Sequence, residues 1–512
     1  MDKKHILILF LVSVAVYFNT LFNSFVWDDF TLIKDKNLTP NSLKEMLSIF
    51  YWRNIAKEQR GRFRPLRSLM FLLDKTLYGE ENPFGWHLTN VLLNSLNVIL
   101  LAILATELFM NKMVGFVSGL IFAVYPIHVE AVAWMKNRSE LLCGIFYFLG
   151  LILFVRYLRE KSKMLLPLVF ISMFLSMLAK EMAMTLPLVM FVITLLLIRE
   201  KSQQTKGFIL SAILFFIVIL WYISKEYWWR KEIFSQTNIV LDAYLHTRIV
   251  MYTLNKYLSL LFFPFKLNVE HRFDRAILEE TSSYFSLIVF ILIGLYFIYR
   301  KNRNVVFCWL WIIVTLIPVS NIVFLEARPI AEQRLYIVSA GMSFLIGQVY
   351  AGFPNKIKEV VVAVILISFA VVTFKYNFVW KDSLTFWQDV VKKNPTHFRA
   401  NYNLAAEYQK RKDYISAIKY YEVAAKDCDR PEVFYSLGYC YDQIGDYNRS
   451  LENYQKCLKL VEQPFPDLYN NMGIVFWKKG EKKKAEELFQ LALKIDPEYV
   501  PAKKNLEELW KK

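Results

Sequence analysis

The sequence predicts an all-α protein in two parts: a polytopic membrane helix bundle of about eleven spans, then an α-solenoid of short helical repeats. Three observations predict it. The 512 residues are 55% hydrophobic and 16% aromatic, too apolar for a soluble chain of this size. Apolar runs approaching the roughly 17–25 residues that cross a bilayer recur from residue 5 to residue 379. Beyond residue 398 the runs give way to a pattern with a period of 33–35 residues.

The spans are expected at 5–22, 86–109, 113–127, 140–157, 164–179, 182–198, 207–223, 284–299, 305–320, 336–352 and 359–379. Met1–His5 and the apolar run after it resemble a signal peptide. No small-residue cleavage site follows, so this run is read as an uncleaved first helix. Alternate loops are short and basic: Lys112; Arg156, Arg159, Lys161 and Lys163; Arg199, Lys201 and Lys206; Arg300, Lys301 and Arg303; Lys356 and Lys358. Basic loops stay in the cytoplasm, which places the N-terminus there and the C-terminal part outside. The formal charge of +17 is therefore topological and implies no nucleic acid. Residues 381–512 hold 23 Lys+Arg and 20 Asp+Glu, leaving +14 to the membrane part. Segment 247–264 is apolar but breaks the parity of the spans. It is expected to be re-entrant or to lie at the outer surface, as non-spanning segments can where protein or a cavity covers them. Cys143 and Cys308 sit in apolar spans, and Cys428, Cys440 and Cys457 in the tail. Their spacing fits no metal site, so packing is their expected role.

The domains are 1–380 and 381–512, with repeat units at about 398–430, 431–465 and 466–500. Ala405, Gly438 and Gly473 share position 8; Ala417, Ser450 and Ala485 position 20; Ala424, Cys457 and Ala492 position 27. These small residues let paired helices approach. Tyr408, Tyr441 and Phe476 at position 11, and Tyr421, Tyr454 and Phe489 at position 24, fill the gaps. Such stacks make surfaces for peptides or proteins, and can also dimerise.

The unusual polar residues gather at the face opposite the basic loops. Loop 23–85 opens with FVWDDF, placing Asp28 and Asp29 at the exit of the first helix. An aspartate there can act as a general base or hold a metal; it can equally cap a helix. GRFRPLRS adds Arg62, Arg64 and Arg67, which either snorkel to headgroups or grip a phosphate. His87 and Asn90 enter the second span. VYPIHVEAVAWMKNRSE supplies His128, Glu130 and Arg138. Lys180 and Glu181 mark the next outer turn, and Glu270 and His271 follow the 247–264 segment. FLEARPIAEQRLYIVSAG brings Glu326, Arg328, Glu332, Arg334 and Tyr336. Ionisable groups at membrane depth are functional by default, although each could instead belong to a salt-bridge network.

FVWDDF, RPLRS, NPFGWHLTN, YPIHVEAVAW with NRSELL, AKEMAMTLP, and IPVSN through AEQRLYIVSAG occur in that order ahead of the repeats. The ordered set resembles the transmembrane and tetratricopeptide-repeat (TPR) O-mannosyltransferase family and its bacterial relatives, over nearly the whole chain. The resemblance implies a GT-C-like bundle in an inner membrane. It also implies transfer of a sugar, mannose first, from a polyprenyl-phosphate carrier to protein Ser/Thr hydroxyls outside the cytoplasm. Asp28, Asp29 and Glu130 are then the candidate catalytic groups. Arg64, Arg138, Lys180, Arg328 and Arg334 are the candidate phosphate ligands. His87, Asn90, His128, Glu181, Glu270, Glu326, Glu332 and Tyr336 are expected to line the site. The TPR array would engage the acceptor protein. Asp28 and Asp29 could hold a divalent ion such as Mg²⁺ or Mn²⁺, though no third ligand is evident; no other cofactor is expected. The chain departs from the family in having few repeats and in Tyr125, where relatives often carry a histidine. Two rival readings are a GT-C transferase acting on lipid or polysaccharide, and a non-enzymatic TPR scaffold.

Overall fold

A computed structural model describes residues 1–35, 39–42, 44–45, 64–233, 243–271, 285–323, 328–352, 357–426 and 429–511. The chain forms two compact units, Met1–Asp382 and Ser383–Lys512. Their described regular elements are all helical.

The first unit contains α1 (Lys3–Tyr17), α2 (Asp29–Lys34), α3 (Pro65–Tyr78), α4 (Pro83–Phe109), α5 (Lys112–Val124), α6 (Val129–Ala133), α7 (Arg138–Glu160), α8 (Leu165–Ala179), α9 (Leu186–Leu197), α10 (Lys201–Ile233), α11 (Ala243–Phe262), α12 (Phe285–Tyr299), α13 (Arg303–Leu316), α14 (Ser339–Gly352) and α15 (Ile357–Asn377). Among the described residues, five helical stretches are long and apolar enough to cross a membrane: Lys3–Phe22, Pro83–Phe109, Met135–Glu160, Lys201–Trp221 and Ile357–Trp380. A sixth forms if α5 and Pro126–Ala133, bent by 54°, count as one span. The count of eleven is thus not reached by length. The remaining apolar segments are helical but short: Leu165–Ala179, Glu181–Leu197, Ser286–Tyr299 and Arg303–Val319, together with α14.

Proline accounts for several of the breaks. Tyr125 precedes Pro126 and is held extended (φ −68°, ψ 120°), which ends α5. Lys180 is likewise extended and ends α8, and Pro187 opens α9. Pro318 sits in the turn that finishes α13. Irregular backbone at membrane depth survives only where protein or a cavity satisfies it. α11 runs unbroken through the segment expected to be re-entrant, and it is not among the candidate spans.

Packing within the bundle follows membrane rules, with small residues for close approach and polar residues as cross-links. A side chain on Gly119 would meet Leu9 and Ala102 at 2.9 Å. Ser13 bonds Ser95 (2.6 Å), Tyr336 bonds Asn94 (2.8 Å) and Thr373 bonds the Val124 carbonyl (2.7 Å). Apolar residues such as Leu7, Phe216 and Leu292 are exposed, a pattern that suits helices in lipid.

The second unit pairs α16 (Ser383–Lys393) with α17 (Phe398–Lys410), then stacks α18 (Tyr414–Lys426), α19 (Pro431–Gln443), α20 (Tyr447–Leu460), α21 (Pro466–Lys478), α22 (Lys482–Ile495) and α23 (Val500–Leu509). Its core is built from the repeat positions: Ala405, Ala417, Tyr421, Ala424, Tyr441, Tyr454 and Cys457 are all buried. A Cβ on Gly438 would stand 2.6 Å from the Tyr454 ring, which explains the small residue at position 8. Gly438→Val should therefore destabilise this unit by about 1–3 kcal/mol through overpacking. Limited proteolysis of the full chain in a urea series should show residues 398–500 cleaved at lower urea than in the wild type.

Candidate active site

The acidic pair stands where α1 hands over to α2. Phe25 packs with Phe71, Trp86 and Met135 and fixes the loop. Trp27 then takes a left-handed conformation (φ +56°), which sends the next two side chains to different surroundings. Asp29 is fully buried; its Oδ2 accepts from the Val26 N–H (3.3 Å) and its Oδ1 from the Lys136 N–H (3.2 Å). Burial pushes its carboxyl up to about 8 and the neighbouring Asp28 adds to the rise, against the pull of the two amides and the Lys136 ammonium. Asp28 stays partly exposed at 31%, with its Oδ2 2.6 Å from Lys136 Nζ.

Asp28 lines a cavity of about 960 Å³. Its charged lining comes from five separate stretches: Asp28 and Asp35; Arg64 and Arg67; Lys136 and Glu140; Lys180 and Glu181; and Arg334. Thr31, Asn137, Ser139, Thr185 and Gln333 add polar groups, and most of the remaining wall is apolar. Phe215, Val218, Ile219 and Ile223 come from α10, and Ile317, Val319, Ile322 and Val323 from the end of α13 and beyond. Arg64 pairs with Glu181 (2.8 Å) and Lys180 with Glu140. Burial and the Arg64 charge lower the Arg67 guanidinium to about 9, with Asp28 and Asp29 opposing; it stays cationic at neutral pH. Among the described residues, five cations and four carboxylates stand beside apolar side chains, a composition that could take an amphipathic anion.

Of the sequence-predicted residues, Asp28, Arg64, Arg67, Lys180, Glu181 and Arg334 line this cavity, and Asp29 backs it. The other described candidates lie elsewhere. Arg138 is fully buried and spent on the protein: Nη1 meets Asp74 at 2.6 Å, Nε bonds Asn90 (2.7 Å) and Nη2 bonds the Trp86 carbonyl (3.0 Å). Phe71 and Trp86 cover its face. Asn90 and His87 are buried within α4. Glu130 is buried against Arg328 (2.6 Å) and the Gln333 N–H (3.2 Å), so both residues serve a separate ion pair. His128 bonds Ser339 (2.7 Å) and packs on Phe122 and Tyr336 as a core histidine. Tyr336 lies in the same aromatic core. Glu332 meets His271 (3.2 Å) and the Asn268 N–H (2.6 Å), with Glu270 buried nearby in sequence. Arg62 and Glu326 lie outside the described residues. Among the described residues, no group of three or more His, Cys, Asp or Glu side chains forms a potential metal site.

The sequence reading passed over Lys136, Glu140 and Asp74. Lys136 and Glu140 stand in the WMKNRSE stretch beside Arg138, and their value lies in partners distant in sequence. An acid within an amphipathic helix, as Asp74 is, carries no sequence signal of its own.

Tetratricopeptide-repeat models match residues 431–463 and 466–499. Human protein O-mannosyl-transferase TMTC3 is 22% identical over 98% of this chain and 61% of its own length. The chain is a relative of the TMTC protein O-mannosyl-transferases. The Caenorhabditis elegans protein O-mannosyl-transferase F38B6.6 is 25% identical over 78% of the chain and 59% of its own length. Mouse TMTC2 reaches 31%, over 30% of the chain and 18% of its own length. The chain spans about three fifths of the length of the first curated TMTC relatives it matches. The APC/C hetero-tetramer Cut9–Hcn1 aligns at 14% identity over 92% of this chain and 97% of that one, with a TM-score of 0.26, too loose to carry an argument.

Two predictions follow from the buried groups. Arg138→Met strands Asp74 without a counter-charge and should cost about 3–5 kcal/mol, seen as a lower melting temperature in detergent. Asp29 releases its proton near pH 4 when unfolded and near 8 when folded. Between those values the folded state keeps a proton that the unfolded state has lost, so stability falls as pH rises. Asp29→Asn should remove this slope. Melting at pH 5.5 and pH 8 should show the wild type losing more than the variant.

Proposed function

We propose that this chain is a membrane mannosyltransferase. It moves mannose from a polyprenyl-phosphate carrier to Ser or Thr hydroxyls of proteins on the extracytoplasmic side, in a bacterial inner membrane. The cavity carries this reading: its charged stretches suit a phosphate and its apolar wall an isoprenoid chain. The relatives' names supply the sugar and the class of acceptor. The TPR unit supports a polypeptide acceptor, since such repeats hold peptides. Basic loops on one side, with the first helix entering from there, support the orientation.

In this mechanism the acceptor hydroxyl oxygen attacks the anomeric carbon from the face opposite the phosphate, so configuration inverts, as in a GT-C transferase. The bond between that carbon and the phosphate oxygen breaks, and its electron pair leaves on the phosphate. Asp28 takes the hydroxyl proton. Asp28 is preferred to Asp29 because it faces the cavity, whereas Asp29 is enclosed and holds its own proton up to about pH 8. Asp29 fixes the loop through the Val26 and Lys136 amides. Arg64, Arg67, Lys180 and Arg334 stabilise the charge gathering on the leaving phosphate. Asp28→Asn should lower transfer about 10²–10⁴-fold, the usual worth of a general base. The assay follows polyprenyl-phosphate mannose and a secreted acceptor protein, with purified full-length chain. Undiminished turnover by a folded Asp28→Asn protein would remove Asp28 from this role.

A further inference from the structure

Lys136 belongs to the short Met135–Asn137 turn that leads into α7. It touches both aspartates through different atoms. Its N–H meets Asp29 Oδ1 at 3.2 Å and its ammonium meets Asp28 Oδ2 at 2.6 Å. Its carbonyl accepts from Arg67 at 3.4 Å. The ammonium also lies 4.9 Å from the centroid of the Trp134 ring, which stacks on Trp27.

Both side chains of the Asp28–Lys136 pair are open to the cavity, at 31% and 36% exposed. Asp74 and Arg138 are sealed at 1% and 0%, and in the Arg64–Glu181 and Lys180–Glu140 pairs the cation is only 20% exposed. A pair this exposed is weak and exchanges readily. A lysine suits exchange better than an arginine, because its compact ammonium on a flexible stem can turn between acceptors. Both partners line the cavity proposed to receive the phosphate.

We propose that Lys136 is a shared counter-ion. With no donor bound, its ammonium covers Oδ2 of Asp28. When the donor loads, the ammonium swings to the phosphate and uncovers that oxygen to receive the acceptor's proton. The exchange moves charge contacts and no proton. Donor binding therefore precedes productive acceptor binding, and the base is masked until a donor is present. This rests on the reading of the cavity as the donor site.

The test separates the two claims. Full-length protein in detergent is treated with a water-soluble carbodiimide and an amine, and the Asp28 peptide is quantified by mass spectrometry, with and without polyprenyl phosphate. Native mass spectrometry of the same samples reports bound lipid. The wild type should show several-fold more Asp28 labelling once lipid is bound. Lys136→Met should label strongly either way, and its donor KM should rise at least tenfold. Lys136→Arg, which restores the charge, should restore protection in the lipid-free state. Lipid bound to the wild type with no change at Asp28 overturns the counter-ion. So does a Lys136→Met protein that is folded by melting yet as protected as the wild type. Absence of both lipid binding and mannose transfer in the wild type would instead overturn the functional reading itself, and the counter-ion with it.

Discussion

The site depends on one buried ion pair. Arg138, at the first turn of α7, reaches Asp74 on α3 and the Trp86 carbonyl and Asn90 on α4. Phe71 and Trp86 cover its guanidinium, so three helices meet on one charge. A charge at such depth survives only when paired and hydrogen-bonded. The pair sets α3, which brings Arg64 and Arg67 to the cavity, against α7, whose preceding turn carries Lys136. Lys136 in turn holds Asp28 and Asp29. A residue that does not line the cavity thus fixes the relative placement of those that do.

Breaks in the helices complete the site. The turn Glu181–Thr185 after α8 and the turn Ile317–Val319 after α13 both contribute to the cavity lining. Pro187 and Pro318 lie at these breaks, and a proline favours termination where a continuous span would cross. Charged side chains come from turns and loops and from the first turns of α3 (Arg67) and α7 (Glu140), while α10 supplies only apolar residues to the wall. A charged end and an apolar wall suit the two ends of the lipid phosphate proposed as donor.

Much of the fold was legible because period and hydropathy are local properties. The small and aromatic positions of the repeats reappear as the buried core of the second unit. The number of crossings was less legible, since several apolar segments are helices of only 12–15 residues and their role depends on neighbours. Which residues line the cavity was legible only in part. Gathering of charge at one end pointed to Asp28, Arg64, Lys180, Glu181 and Arg334, which line the cavity. It could not separate them from Arg138 or Glu130, whose partners Asp74 and Arg328 lie 64 and 198 residues away. His128 looked like a site residue beside Glu130, yet it packs on Phe122 while Glu130 faces Arg328. Lys136 reads as a solvated loop lysine until the fold brings both aspartates to it.

The central claim is that the amphipathic cavity holds a lipid phosphate. The most direct measurement is photo-crosslinking of the full-length protein with a polyisoprenyl phosphate carrying a diazirine in its chain, mapped by peptide mass spectrometry. The account predicts label on Phe215, Ile219 or Ile223 of α10 and on Ile317 or Ile322, competed away by unlabelled polyprenyl phosphate. Competed label instead in the apolar groove of α14 and α15, around Ile346 and Val361, would place the lipid elsewhere and contradict it.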